Sequence, residues 1–547
     1  MALSREAYRA LEDIVGPENI SDDPALCYSY AFQMLAETAR PDQSHFMPRP
    51  VAAIMPGNTK EIQAIVRVCN RYRIKVKPYS TGWYFFAAPQ KESDDTIQMD
   101  LRRMDRILDV DEKNMYAVVE PYVICATLQA ELMKVGLATN MIGAGSSTSL
   151  LASCTSYLGG GPTSMWMGHN SENLLGLEWV TPRGDIVRTG SMGSGIGWFC
   201  GEGPGPSVRG VCRGRCGARG GMGVYTKAAL KLTHWPGPTQ MAVEGRVPAY
   251  HAGIPDNFRT YTLAFPSWDA YFATYHKMYD NEIGYIAHRQ FNMLGGDMGP
   301  AFWLLYNDPT KTLSDIEEIA QKAEVQKLTE ELRCSFQLIM AGRSPRDIEY
   351  QEKALDQILA ETGGWKVARM SEPDMAEFTY LYMVKLGHKN LNFTYAGGYV
   401  GSFSQPGTPE YVKNYHPVAK KRLEEDEKTG LVAQAGGDSM MGTVGGIGGG
   451  GVCGFEQFVS YDPADKESVK AAVRHMHDTR KDEVKHGIAP GKEDSYLKVA
   501  MTDEQLQEQY AASSQPIVFH LQRKIKDMLD PNDIGDRLYS WLPEPEK

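Results

Sequence analysis

The sequence predicts an α+β protein with more than one domain, and two observations support this fold class. Up to about residue 236, short apolar segments of strand type alternate with helix-like segments. Beyond a proline- and glycine-rich stretch at 235–238, longer amphipathic segments such as 312–322 and 346–359 are mixed with strand candidates such as 454–461. A chain of 547 residues can bury more than one core, so we expect a domain boundary near residue 237.

Composition narrows the class of protein. The 57 basic and 68 acidic side chains give a net charge of −11, which argues against a general affinity for nucleic acid. The sequence contains neither a run of about eighteen apolar residues nor a secretory leader, so we expect a cytoplasmic protein without a membrane span. Nine scattered cysteines favour free thiols, and Cys212 with Cys216 is too small a set for a metal site.

The first informative element is a turn of small residues after a predicted helix and strand. Apolar residues at helical spacing predict a helix over 59–70, and 74–78 is typical of a strand that ends at the turn. Ser80, Thr81 and Gly82 follow, and they offer backbone N–H groups, hydroxyls and close approach to an anion. A phosphate site is therefore expected here, although a Ser-Thr-Gly turn is also common without any ligand.

Further segments occur in a fixed order along the chain. They are 49–56, 77–88, 96–101, 117–121, 128–132, 159–161, 173–178, 185–190, 221–227 and 524–534. Together they resemble the FAD-binding domain of the vanillyl-alcohol oxidase and p-cresol methylhydroxylase flavoproteins, a family that includes D-lactate and glycolate dehydrogenases. The resemblance implies a PCMH-type FAD-binding domain of two α/β subdomains over 1–237, a substrate cap with an antiparallel sheet over 238–478, and a segment returning to the FAD domain over 479–547.

The resemblance also implies which residues contact FAD. The turn would hold the diphosphate, and a second run of hydroxyl residues would contact the cofactor where it opens a helix, with ordinary helix capping as the alternative. Glycines further on would let the backbone pass close to the flavin, and a strand would contact the adenine side. The candidates are Ser80, Thr81, Gly82, Trp83 and Tyr84; Ser147, Ser149, Ser153 and Cys154; Gly160, Gly161 and Gly168; Gly223 and Val224.

Candidate catalytic residues come from three parts of the chain. Tyr84 lies where phenol-oxidising relatives hold the phenolate, with burial as a core aromatic as the alternative. Lys485 lies where phenol oxidases carry an arginine, and a fixed cation there would stabilise reduced flavin. The second tyrosine of that phenolate pocket is Val484 here. In the cap, His288 and Arg289 are expected either to bind a substrate carboxylate or to make an internal contact.

The segment around Lys485 also resembles the hydroxy-acid dehydrogenases of the family. They carry Glu-His-Gly near this place, with the glutamate as a metal ligand and the histidine as the base. His486 and Gly487 are kept here, but Lys485 replaces the glutamate and 449–458 contains no histidine, so we expect no metal. His486 is then either a general base or a surface histidine on a turn.

One segment departs from the family, and one fingerprint is missing. No Gly-x-Gly-x-x-Gly pattern stands between a strand and a helix, and the nearest similar run, 201–205, contains a proline, so we predict no NAD binding. The segment 206–220 carries four arginines and is longer than usual in the family. It is predicted to be a solvated basic loop, with a docking patch for an electron acceptor or an extra phosphate contact as the alternatives.

These features predict an FAD-dependent oxidoreductase that removes hydride from a small hydroxylated substrate, of the para-substituted phenol or aromatic alcohol type. A D-2-hydroxy-acid dehydrogenase and a non-catalytic flavin-domain subunit are the alternatives. Electrons would pass to oxygen, a cytochrome or an electron-transferring flavoprotein, and dimers are frequent in the family. We expect non-covalent FAD, with Tyr399 as the candidate for covalent attachment.

Overall fold

The computed structural model describes most of the chain. The described residues are 3–33, 36–40, 42–82, 87–89, 95–140, 146–155, 163–168, 170–190, 209–212, 221–245, 250–288, 310, 312–385, 398–407, 409–434, 453–486 and 516–536. In this part of the chain, helices pack on four main β-sheets of four, five, four and three strands. None of the helices described is long and apolar enough to cross a membrane.

The first sheet is mostly parallel and has the strand order β1-β2-β4-β3. Its strands are β1 (Ile20–Ser21), β2 (Ala52–Ile54), β3 (Lys75–Tyr79) and β4 (Thr96–Asp100). The helices beside it are α1 (Arg5–Val15), α2 (Pro24–Ser29), α3 (Ala36–Ala39) and α4 (Thr59–Tyr72). The predicted helix over 59–70 is thus α4, which begins because the Asn58 side chain accepts from two backbone N–H groups and ends at Arg73 in the left-handed region.

The second sheet is antiparallel and has the order β5-β6-β10-β8-β9. Its strands are β5 (Ile107–Asp111), β6 (Tyr116–Val119), β8 (Leu174–Val180), β9 (Ile186–Arg188) and β10 (Val224–Lys231). Its helices are α5 (Cys125–Met133), α6 (Leu150–Thr155), α7 (Ser164–Met167) and α8 (Arg209–Cys212), and a small pair joins β7 (Leu137–Ala138) to β11 (Thr233–His234). Glu178 of β8 is buried and connects this sheet to α4, because it accepts a hydrogen bond from the Thr59 hydroxyl at 2.7 Å.

The third sheet begins after the predicted boundary near residue 237 and has the order β15-β16-β14-β17. Its strands are β14 (Phe258–Ala264), β15 (Ile286–His288), β16 (Ser335–Ala341) and β17 (Trp365–Lys366), preceded by the small pair β12 (Glu244–Gly245) and β13 (Tyr250–His251). Its helices are α9 (Trp268–Asp280), α10 (Leu313–Ala320), α11 (Ala323–Glu331), α12 (Pro345–Thr362) and α13 (Pro373–Lys385). Trp235, buried at the end of the second sheet region, contacts the rings of Phe258 and Tyr285, so the second and third sheets share one hydrophobic core.

The fourth sheet has three antiparallel strands in the order β18-β20-β19. They are β18 (Gly398–Gly407), β19 (Val432–Gln434) and β20 (Cys453–Tyr461), and helices α14 (Pro409–Glu427) and α15 (Lys466–Lys485) pack beside them. The Tyr415 hydroxyl donates to the Thr479 carbonyl at 3.1 Å, and Arg422 forms an ion pair with Asp482. These contacts fix α14 against α15.

The last described segment returns to the first sheet. After α16 (Pro516–Leu529), the backbone N–H of Val76 donates to the Ile534 carbonyl at 2.7 Å, and the N–H of Asp536 donates to the Val76 carbonyl at 3.0 Å. Asp536 also lies 3.5 Å from the ammonium group of Lys77, and both side chains are buried. Residues 534–536 therefore cover the edge of β3 that β4 leaves open.

The predicted fold class is confirmed by this mixed architecture of helices and sheets. The segment 74–78 forms β3 one residue later, 346–359 lies within α12, and 454–461 lies within β20. The segment 312–322 forms α10, which spans only 313–320. The domain boundaries at 237 and 478 stay a prediction.

Candidate cofactor site

The expected phosphate turn directly follows β3. Gly82 has a φ of +66°, a backbone conformation that residues with a side chain rarely adopt. A Cβ atom at this position would also collide with the hydroxyl group of Tyr79. The turn therefore requires glycine both for its backbone angle and for the space that the Tyr79 ring occupies.

The register between β3 and β4 gives the first sheet one apolar and one polar face. Val76 and Ile97 are Cα partners, and both belong to the core formed with α1 and α4. Because successive side chains of a strand point to opposite faces, their neighbours lie on the other side. The residues of the polar face are Lys77, Tyr79, Gln98 and Asp100.

Asp100 organises this polar face next to the turn. Its carboxylate is buried, and it accepts hydrogen bonds from the Tyr30 hydroxyl at 2.7 Å and from the Arg102 guanidinium at 2.8 Å. The Arg102 backbone N–H donates to it as well, at 2.9 Å. The Tyr30 ring stands edge-on to the Tyr79 ring, with 5.4 Å between the centroids. The N-terminal segment thus holds the strand ends from which the turn begins.

The structure brings the second predicted contact run to the turn. The backbone N–H of Ser149 donates to the Thr81 hydroxyl at 3.4 Å. The Ser149 hydroxyl donates to the Pro121 carbonyl at 2.6 Å and accepts from the Ala152 N–H at 3.1 Å, so this side chain caps α6. Ser147, two residues earlier, is exposed. Both segments named for FAD contact therefore meet, while the Ser149 hydroxyl itself makes protein contacts.

Two further candidates on α6 are also engaged inside the protein. The Ser153 hydroxyl donates to the Leu150 carbonyl at 2.7 Å and accepts from the Asn170 amide. The Cys154 thiol donates to the Asn170 carbonyl at 3.1 Å, and burial raises the pKa of this thiol to about 12. At neutral pH Cys154 is therefore a buried, protonated thiol and not a reactive thiolate.

The described glycine candidates are explained by close packing. Gly168 has a φ of +65°, and a Cβ there would collide with the Glu172 carboxylate. Gly223 has a φ of +107°, and a Cβ there would collide with the Val180 carbonyl and come within 2.8 Å of the Trp179 indole nitrogen. Val224 is the Cα partner of Val180 in the second sheet. Their contacts with FAD stay a prediction.

Three of the predicted catalytic residues lie in the described part of the chain. Lys485 is the last residue of α15 and His486 the next, and both side chains are exposed. The His486 ring nitrogen Nδ1 lies 2.7 Å from the Asp482 carbonyl, and the ring centroid lies 6.1 Å from that of Tyr415. His288 ends β15, where it is the Cα partner of Gln337. Their catalytic roles stay a prediction.

Other candidates lie outside the described residues. They are Trp83, Tyr84, Gly160, Gly161, Arg289 and most of the arginine-rich segment 206–220. Tyr399, the candidate for covalent attachment, is in β18 as the Cα partner of Ser460. Among the described residues, no group of three or more His, Cys, Asp or Glu side chains could hold a metal ion.

Sequence reasoning missed the polar face of the first sheet. Lys77 and Tyr79 are alternate residues of a predicted strand, and Gln98 and Asp100 repeat this pattern on β4. Polar residues at alternate strand positions usually indicate a solvated face. Here Lys77, Gln98 and Asp100 are buried instead. Asp100 contacts Tyr30, Lys77 contacts Asp536, and the Gln98 amide donates to the Ala87 carbonyl.

Comparisons with known proteins agree with this geometry. Residues 50–190, which include the turn and α6, match the FAD binding domain family. The chain is 27% identical over 237 residues to the glycolate oxidase subunit GlcD of Bacillus subtilis, a match that covers 43% of this chain and 46% of that protein. The chain thus spans less than half the length of this curated relative.

Solved structures share the fold over nearly the whole chain. p-Cresol methylhydroxylase with substrate bound superposes with a TM-score of 0.71 at 17% identity, covering 99% of this chain and 97% of that chain. 4-Ethylphenol oxidase from Gulosibacter chungangensis, in complex with isoeugenol, superposes with a TM-score of 0.69 at 18% identity, covering 99% and 98%. Residues 50–190 thus contain an FAD binding domain, and the chain as a whole shares the fold of p-cresol methylhydroxylase.

FAD fits the turn that the structure describes. A diphosphate requires backbone that it can approach closely, and Gly82 supplies this because it has no side chain and a left-handed φ. The hydroxyls of Ser80 and Thr81 stand beside it, and Ser149 joins the turn to the start of α6. The expectation of FAD as the cofactor is therefore confirmed by the family match and is consistent with the turn.

Proposed function

We propose that this protein is an FAD-dependent oxidoreductase that removes hydride from a para-substituted phenol or aromatic alcohol and passes the electrons to a separate acceptor. The fold shared with p-cresol methylhydroxylase over 99% of the chain carries this proposal. The FAD binding domain match over 50–190 supplies the redox group. When bound, FAD accepts the two electrons of the hydride.

The substrate cavity is proposed to lie between the FAD-binding region and the cap over 238–478. The shared core at Trp235 and Phe258 supports this placement, because it holds the second and third sheets together around a fixed boundary. A sheltered cleft between two such regions excludes water during hydride transfer. Its proposed polar residues are Tyr84, His288, Arg289, Lys485 and His486.

Each of these residues has a distinct proposed role. Tyr84 holds the phenolate oxygen of the substrate, and His288 with Arg289 positions a second polar group of it. Lys485 stabilises the anionic reduced cofactor through its positive charge. His486 takes the hydroxyl proton through its imidazole ring, which is suited to proton transfer near neutral pH.

A D-2-hydroxy acid is the alternative substrate class. The 27% identity with the glycolate oxidase subunit of Bacillus subtilis favours it. In that case His486 removes the proton of the 2-hydroxyl group, and Arg289 binds the carboxylate through a bidentate contact. A non-catalytic subunit that keeps the fold without turnover is the second alternative.

Reduction of the bound flavin separates these functions. Purified protein would be mixed without oxygen with 4-alkylphenols, aromatic alcohols, D-lactate and glycolate, while the visible absorbance of oxidised flavin is followed. We expect bleaching with the phenols or aromatic alcohols. Bleaching with the hydroxy acids alone would favour the alternative, and flavin that none of the compounds reduces would favour the non-catalytic subunit.

The acceptor and assembly complete the proposal. Electrons would pass from reduced flavin to a cytochrome or an electron-transferring flavoprotein, and the protein would be a cytoplasmic homodimer. Reoxidation rates with oxygen, cytochrome c and a flavoprotein acceptor identify the acceptor class.

Acid precipitation tests how the flavin is attached. Yellow colour in the supernatant is expected for non-covalent FAD, whereas colour in the pellet would indicate a covalent bond such as one to Tyr399.

A further inference from the structure

We propose that Tyr79 is a further FAD-binding residue, whose hydroxyl group donates a hydrogen bond to the diphosphate held at the turn 80–82. This role depends on FAD being the cofactor of the proposed function, but not on the substrate. It assigns a task to the last residue of β3, which ends at the start of the turn.

The position of the Tyr79 ring is the first observation. Its hydroxyl stands where a side chain at Gly82 would be, so the phenol oxygen and the turn backbone are in direct contact. The ring is held there by Tyr30, whose ring packs edge-on against it. A group bound along Gly82 therefore meets the end of the Tyr79 side chain.

The second observation is that the Tyr79 hydroxyl has no hydrogen-bond partner within the described part of the chain. The nearby carboxylate of Asp100 is already engaged by Tyr30 and Arg102. The Lys77 ammonium, two residues earlier on the same face, lies 3.5 Å from Asp536. Among the described residues nothing accepts from the phenol of Tyr79, and its donor can serve a bound group.

The surroundings keep this phenol protonated. Burial raises the pKa of Tyr79, and the negative charge of Asp100 and the neighbouring Tyr122 raise it further, against an opposing effect of Arg102. A protonated phenol donates its hydrogen bond, and bonds to charged oxygens are the stronger ones. Phosphate oxygens therefore match what this side chain offers.

Replacement of Tyr79 by phenylalanine isolates the hydroxyl group. Tyr79→Phe keeps the ring that packs on Tyr30, so the variant is expected to fold as the parent does. Flavin-free protein would be titrated calorimetrically with ADP, which carries the diphosphate, and with adenosine, which lacks it. We expect about ten-fold weaker binding of ADP and FAD, equivalent to about 1.4 kcal/mol, with adenosine affinity unchanged.

Tyr30→Phe is the matched control, because it removes a neighbouring phenol that already donates to Asp100. It is expected to leave the ratio of ADP to adenosine affinity as in the parent. Unchanged ADP binding in Tyr79→Phe, or an equal loss for ADP and adenosine, would overturn the proposal. Such a result would leave flavin reduction by phenols, the test of the proposed function, unaffected.

Discussion

At the cofactor turn, the need for glycine at position 82 has two separate physical causes. The left-handed φ of +66° costs a residue with a Cβ about 1 kcal/mol, and the Tyr79 hydroxyl occupies the space of that Cβ. Gly136 has a similar φ of +72° but nothing within 4 Å of its absent Cβ. A substitution at Gly136 would therefore meet backbone strain alone, whereas one at Gly82 would meet both backbone strain and a steric collision.

We predict that Gly82→Ala loses most of its FAD, whereas Gly136→Ala keeps it. Both variants pay the backbone cost, but only the first displaces Tyr79 and closes the approach to the turn. The ratio of flavin to protein absorbance after purification measures the outcome. Full FAD retention in Gly82→Ala would place the diphosphate elsewhere.

A second single-residue prediction concerns Lys485 and the midpoint potential of the bound flavin. If its charge stabilises reduced flavin, Lys485→Met lowers the midpoint potential and slows reduction, while FAD stays bound. Lys481→Met is the control, since Lys481 is an exposed residue of the same helix that lies 3.6 Å from Asp478. Equilibration with a reference dye measures the flavin midpoint potential of the parent and both variants. Equal potentials in all three proteins would make Lys485 an ordinary solvated residue.

Among the elements, Glu178 connects α4 to the second sheet. The carboxylate accepts from the hydroxyls of Thr59 at 2.7 Å and Thr226 at 3.0 Å, and it pairs with Lys227 and Arg188, each at 2.9 Å. Burial alone would raise the pKa of Glu178, but the hydrogen bonds from Thr59, Lys227 and Arg188 outweigh it and hold the pKa below its ordinary value.

A lowered folded-state pKa sets the sign of the pH dependence. The stabilisation from Glu178 is present above its unfolded pKa of about 4.3 and is lost as the pH falls through the folded pKa. We predict that Glu178→Gln costs about 2 kcal/mol at neutral pH and progressively less below about pH 4.

Urea unfolding of parent and variant at neutral and acidic pH measures this difference. Glu131→Gln is the control, because Glu131 pairs with Lys134 on an exposed helix surface. Such surface pairs contribute little to stability. A cost in Glu178→Gln that stays constant from neutral to acidic pH would contradict the assignment.

For the whole molecule, the shared core joins the second and third sheets. Trp235 packs at 5.8 Å from the Phe258 ring and 6.2 Å from the Tyr285 ring, and its indole nitrogen donates to the Pro238 carbonyl at 2.8 Å. We predict that Trp235→Ala destabilises the protein by about 3–5 kcal/mol, because a large side chain is removed from a buried boundary.

Trp365→Ala provides the comparison, because Trp365 is 39% exposed and its indole nitrogen bonds Glu331 at the surface. Its removal is expected to cost much less. Thermal unfolding followed by circular dichroism and by flavin release measures both variants. If Trp235→Ala lowers the melting temperature no more than Trp365→Ala, the two sheets do not depend on this contact.

The elements of the fold were largely predictable from local patterns. Helix α4 follows from apolar residues at helical spacing after an Asn58 cap, and β3 follows from a short apolar segment that ends at small residues. The turn 80–82 is predicted as a phosphate site because its residue types are those that approach an anion; this role stays a prediction. Burial of the polar face of β3 and β4 could not be predicted, because it depends on segments that are distant in sequence.

By itself, the sequence determined the α+β class and the family resemblance, and it predicted where FAD binds, since each depends on residue types at fixed local spacing. Only the tertiary structure decided that Tyr79 faces Gly82, that Asp100 is engaged by Tyr30, and that Asp536 returns to Lys77. These contacts join residues up to about 460 positions apart. No local period encodes them, because they form only when the sheets and the terminal segments pack together.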